Sequence, residues 1–214
     1  MKKLLLIGLI LLFSLNIVYG TTDAYAIPQV QCISQPEVKF KNNFRKLWTD
    51  HVLWTSNYIT SATTGGAEDQ KQVLARLLKN QEDIGNAVKP VYGEKAGNQL
   101  TGLLKEHIVI AGRIVEAAKS GNDVLVNHLN KEWYRNADQI AAFLSSANPY
   151  LKIEDVKNLL YMHLKLVAND LSASLGKDWN GRIISIDEGV THIILMADTI
   201  SAGIVKQFPD KFTK

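Results

Sequence analysis

The chain is 214 residues long and has one cysteine, Cys32, and five prolines. A single thiol excludes an internal disulfide framework, so the fold rests on its core. What stays open for Cys32 is a bystander role or a disulfide-linked dimer. No alternating apolar and polar run is long enough for a strand core, and the chain is expected to be all-α. Also missing are a Gly-x-Ser-x-Gly elbow, a phosphate loop, Gly-x-Gly-x-x-Gly and His-Glu-x-x-His. Leu175–Asp178, "LGKD", lacks the preceding glycine and the Ser/Thr of a phosphate loop, so it is a connection. No residue is therefore assigned as catalytic. Charge of one sign is scarce too: 24 basic against 21 acidic residues give a net +3. That balance argues against a nucleic-acid partner.

What is present begins with an export signal. Lys2 and Lys3 precede an apolar run from Leu4 to Val18, and small residues follow. This is the pattern of a secretory signal peptide, residues 1–26, cut after Ala24-Tyr25-Ala26, with Val18-Tyr19-Gly20 as the alternative site. The run falls short of the about 20 residues needed to span a bilayer. The expectation is a secreted or extracytoplasmic protein that touches the membrane only through an uncleaved signal. Gln31 before Cys32 is a poor match to a lipoprotein signal. Residues 27–37 are expected as a flexible arm, and residues 38–214 as one helical domain large enough to bury a core.

Six segments carry apolar residues at three- and four-residue spacing: 38–61, 68–89, 94–119, 123–145, 153–175 and 180–208. Breakers separate them, at "TTGG" (63–66), "KPVYG" (89–93), "SGN" (120–122), "NPY" (148–150) and "LGKD". His51, His107 and His163 stand 56 residues apart on the first, third and fifth segments. Three helical hairpins of that length are the implied repeat, packed as an antiparallel bundle. "NADQI" (136–140) and "MADTI" (196–200) match each other at 60 residues, as though the last helix had gained a turn.

All three histidines fall on apolar stripes and should point inward. Folding each hairpin back brings Asn80 level with His51, Asn136 with His107, and His192 with His163. In one reading each ring is a core residue bonded inside its own hairpin, with no shared cavity; an amide supplies both the donor and the acceptor that a neutral imidazole needs. In another, the three converge, and His51, His107 and His163 plus a water form a tetrahedral site for zinc or a related transition metal. Asp170, or Asp187 before His192, would add a carboxylate. In a third, the layer is a polar pocket for a small organic ligand, with Trp54 and Tyr58 as its aromatic wall. The ligand-binding candidates are thus His51, Trp54, Tyr58, His107, Asn136, His163, Asp170 and His192. His128 and Glu132 form a solvated i,i+4 pair. Trp48, Trp133, Phe143 and Trp179 read as core or interface packing.

The segments "LWTDHVLWTSNYI", "WYRNADQIAAFLSSANPY" and "MADTISAGIVKQFPDKF" resemble a family of uncharacterised secreted helical proteins of bacteria and archaea, over roughly Phe40 to Phe212. Matching positions are His51, Trp54, His107, Asn136, Asp138, His163 and Asp187, while His192 replaces what is often an amide. Names implying a glycosyltransferase or an acetylglutamate kinase are attached to some similar proteins. Both activities need α/β nucleotide-binding frameworks, which an all-α chain does not offer. The resemblance implies a helical fold and no specific reaction. The expected function is binding of a metal ion or small ligand; the alternative is a structural or partner-binding module of the cell envelope, with a hydrolase or transferase third.

Overall fold

A computed structural model describes residues 33–213. The export signal, its cleavage sites and Cys32 lie outside that range. The first helix begins earlier than expected, inside what the sequence assigns to the flexible arm. Ser34 caps it by accepting from the Glu37 backbone N–H at 3.2 Å, and Pro36 occupies the first turn, where its missing N–H costs nothing. Ser34 is also tied to the Phe212 carbonyl near the other end of the chain. Helix α1 runs Gln35–Thr64, α2 Ala67–Lys119, α3 Asp123–Ala147, α4 Ile153–Gly176 and α5 Trp179–Gln207, followed by a short 3-10 turn at Pro209–Lys211. No strand occurs among the described residues. Caps fix the later starts: Asn122 accepts from Leu125 N–H at 3.0 Å and Asp178 from Gly181 N–H at 2.9 Å.

Among the described residues five helical spans stand where six helices are expected, because α2 runs through the "KPVYG" breaker and consists of two helical arms separated at Gly93. Gly93 inside α2 has φ 85° and ψ 169°, a backbone region that essentially only glycine enters, and Pro90 withholds one N–H from the ladder. Beyond the kink the second arm doubles back along the first. Lys105 meets Glu82 at 2.5 Å, and the Gln70 amide reaches Glu116 at 2.8 Å. The arms touch through glycine: a Cβ on Gly85 would lie 2.6 Å from the Gly97 carbonyl, and one on Gly97 2.7 Å from the Gly85 carbonyl.

Packing closes a ring. α1 lies against α2, α4 and α5; α2 against α3; α3 against α4; and α4 against α5. Buried residues recur at 56-residue intervals along the stripes: Phe44, Leu100 and Val156, then Trp48, Leu104 and Leu160, all nearly inaccessible. On the facing helical arms Ile84, Ile140 and Met196 recur at the same interval. Burial of side chains of this size contributes about 1.5–3 kcal/mol each before entropy is counted. Trp179 is not a core residue: it stands on the first turn of α5, 53% exposed.

Candidate functional site

One level beyond Trp48, Leu104 and Leu160 lie the three repeated histidines, and they meet. His51 Nε2 is 3.3 Å from His163 Nε2, and the two rings are tilted with centroids 5.2 Å apart. The His107 ring stacks on that of His163 at 6.2 Å. All three are buried. The reading in which each histidine bonds only inside its own hairpin fails at this contact, since His51 reaches from α1 to α4. Local partners exist as well. Asn136 Oδ1 sits 2.8 Å from His107 Nδ1, and Gln81 Nε2 3.2 Å from His51 Nδ1.

These partners orient the rings. Gln81 Nε2 donates to the Leu77 carbonyl at 2.8 Å and shares its second hydrogen between Asn80 Oδ1 at 3.1 Å and His51 Nδ1 at 3.2 Å, an arrangement that suits a His51 ring with its proton on Nε2. That proton points at His163 Nε2, which accepts. Asn136 donates through Nδ2 to the Leu103 carbonyl at 3.2 Å, so its Oδ1 accepts from His107 Nδ1–H. Each ring is neutral. Burial, then the neighbouring His107 and despite the Gln81 bond, pushes His51 down to about 3; burial pushes His107 down to about 4; burial and the other histidines hold His163 well below its ordinary value.

Three further bonds obey one geometry. Asn80 Nδ2 donates to the Leu47 carbonyl at 3.0 Å, Asn136 Nδ2 to Leu103, and His192 Nε2 to the Leu159 carbonyl at 2.8 Å; each spans 33 residues. Successive bonds step by 56 residues, and each acceptor lies one turn before a repeated histidine. The alignment that sets Met196–Ile200 opposite Asn136–Ile140 is therefore one turn off, because His192 makes the bond equivalent to that of Asn136. His192 itself faces the Leu159 carbonyl and not the His163 ring.

Among the described residues no group of three His, Cys, Asp or Glu side chains is placed to hold a metal ion. His51 and His163 bring their Nε2 atoms together, while the His107 ring stacks on His163. The candidate carboxylates are elsewhere. Asp187 is exposed. Asp170 is buried on the α4 stripe and pairs with Arg182 Nε at 3.4 Å and Ser174 Oγ at 3.3 Å. Burial raises its pKa, against the opposing pull of Ser56, Arg182 and Ser174. Arg182 also donates to Ser56 at 2.9 Å and Thr60 at 2.6 Å, which joins α1, α4 and α5. Asp138 accepts from the Tyr161 hydroxyl at 2.6 Å, and that bond holds it below the usual carboxylate range.

Past the histidines the interior opens. A cavity of about 250 Å³ begins one turn further on, where Thr55, Ala111 and Val167 stand at the positions four after the histidines, and continues to Leu175 near the end of α4. Tyr58 forms part of its wall, as expected from the sequence. Trp54 does not: it lies under the Arg76 guanidinium, 5.2 Å from the ring, and is absent from the lining. The second aromatic is Trp133, whose ring packs on His107 at 5.1 Å. His51, His107, Asn136 and His192 lie outside the lining, and His163 with Asp170 borders a separate cavity of about 20 Å³, room for about one water.

Two residues were not marked by the sequence reading. Gln81 orients His51, and its signal was a second amide beside Asn80. Trp133 was assigned to packing alone, although its place one turn before Asn136 sets it on the histidine level. Polar atoms around that level are also short of partners: Trp48 Nε1, Trp133 Nε1 and Gln81 Oε1 are buried with no hydrogen bond. Trp48 and Trp133 each pack against a histidine, and Gln81 is bonded to one. The chain matches no protein-family profile, no curated protein and no solved structure. The fold and site define a closed helical bundle with a neutral polar layer beneath an apolar cavity.

Proposed function

We propose that this protein binds a small, largely apolar molecule inside its bundle, and that the histidine layer is the rigid support under the site. The observation that carries this reading is the cavity of about 250 Å³, walled by small side chains such as Ala111, Gly112 and Ala168 where larger ones would fill the space. The cavity is partly open to solvent at Leu175, so its apolar walls stay wetted unless a ligand covers them. A binding role gives the space a reason. The test uses benzene, a generic occupant of apolar cavities. Saturating benzene should raise the melting temperature of the protein by a few degrees. Ala111→Leu should raise the melting temperature without ligand and abolish the benzene effect. No shift with benzene, together with a destabilised Ala111→Leu, would overturn the reading and favour a bundle whose polar layer serves its own architecture.

The 33-residue bonds and the 56-residue levels support a second part of the proposal, that the bundle is three copies of one helical hairpin: α1 with the first arm of α2, the second arm of α2 with α3, and α4 with α5. Export belongs to the proposal as well, supported by the Lys2–Val18 pattern alone. N-terminal sequencing of protein recovered outside the cytoplasm should begin at Ile27; a start at Met1 would sink it. The resemblance to secreted helical proteins is consistent with both.

A further inference from the structure

Resting on the cavity reading above, the lining assigns a narrower class of ligand: we infer a neutral molecule about the size of two fused rings, with one oxygen that accepts a hydrogen bond from Tyr58. Size comes first. A cavity of about 150 Å³ lined by aliphatic side chains holds one benzene, and this one, at about 250 Å³, has room for a second ring or an equivalent aliphatic chain. Charge comes next. No Asp, Glu, Lys, Arg or His is among the residues lining the cavity. An ionised ligand would leave water with no counter-charge to meet it, a penalty that apolar walls do not offset.

The polar handle follows from the bond that Tyr58 already makes. Its hydroxyl oxygen accepts from Gln70 Nε2 at 3.1 Å, which leaves the phenolic O–H free to donate. Burial raises the pKa of Tyr58 and keeps that proton in place. Of the other polar lining residues, Thr55 has spent its proton on the His51 carbonyl at 2.7 Å, Trp133 Nε1 is a second buried donor without a partner, and Asn130 and Ser172 add two further polar side chains. Gly112 lies against the Tyr58 oxygen, where a Cβ would sit 3.2 Å from it, and both residues line this cavity and also an open groove that carries Arg113 and Glu116. Access is from the end of the bundle where the α2–α3 and α4–α5 connections lie. Leu175, 40% exposed, both lines the cavity and reaches solvent there.

The probes are benzene, naphthalene, 2-naphthol and 2-naphthalenesulfonate, titrated into the full mature chain by calorimetry and followed by thermal shift. Naphthol should bind at least tenfold more tightly than benzene, and the sulfonate should show no saturable binding. Tyr58→Phe should weaken naphthol by about three- to tenfold and leave naphthalene unchanged, the loss of one neutral hydrogen bond. If benzene binds but naphthol binds no better, the size assignment is wrong while the cavity reading stands. Sulfonate binding as tight as naphthol overturns neutrality, and an equal effect of Tyr58→Phe on naphthol and naphthalene overturns the handle. Failure of benzene itself removes the cavity reading and this inference with it.

Discussion

Asn136 bonds through both ends of its amide: Oδ1 takes the His107 proton and Nδ2 supports the Leu103 carbonyl. Truncation would strand the imidazole N–H in the interior and leave a small void. Asn136→Ala should therefore cost about 2–4 kcal/mol, measured by denaturant unfolding. A loss below half a kcal/mol would show that water replaces the amide. This side chain was legible from sequence because helix geometry makes position in a hairpin computable, and a polar residue level with a buried histidine has few other uses. Gln81 was not legible, since a residue one step from Asn80 points about 100° around the helix and only tertiary packing turns it back onto His51. Trp54 was misread for a similar reason. Its stripe leads inward, but the half-buried edge it occupies is covered by Arg76, and Trp133 from another helix takes its place at the cavity.

For the elements, the glycines of α2 separate two kinds of constraint. Gly93 holds a backbone conformation closed to other residues. Gly102 sits exposed in the second arm with nothing near its missing Cβ. Gly93→Ala should destabilise by about 1–3 kcal/mol, and Gly102→Ala should stabilise by about 0.5–1 kcal/mol. Both follow from paired denaturation curves; equal effects of the two would mean that the kink does not depend on its glycine. The breaker was visible in sequence as Pro90 and Gly93, three residues apart. The close approach of the two arms beyond it was not, because it depends on tertiary packing, here Gly85 on Gly97. Helix starts were misjudged where a cap did the work: Ser34 and Pro36 pull α1 back into the expected arm.

At the scale of the whole molecule, three neutral imidazoles in contact make the fold sensitive to acid. Their folded-state values, about 3 for His51, about 4 for His107 and well below ordinary for His163, lie under the unfolded value near 6.5. The unfolded chain then binds more protons across that interval, so this contribution is complete above about pH 6.5 and is lost as pH falls toward the folded values. Each ring that stays neutral forfeits about 1.4 kcal/mol per pH unit, about 2 kcal/mol by pH 5 for His51 or His107, and His163 acts in the same direction. Losses of that size are a large fraction of the stability of a domain. Asp170, its folded value raised by burial, shifts in the opposite sense and offsets part of this loss. The expected result is a cooperative loss of helical circular dichroism centred near pH 5. In His107→Leu the slope of unfolding free energy against pH between 5 and 6 should fall by about one third. An unchanged slope would mean that His107 is protonated in the folded state and that the layer is wetter than its geometry indicates. A slope reduced by a third would tie the acid limit of this protein to the same three residues that support its cavity, so that the bundle would lose its ligand and its fold over one pH interval.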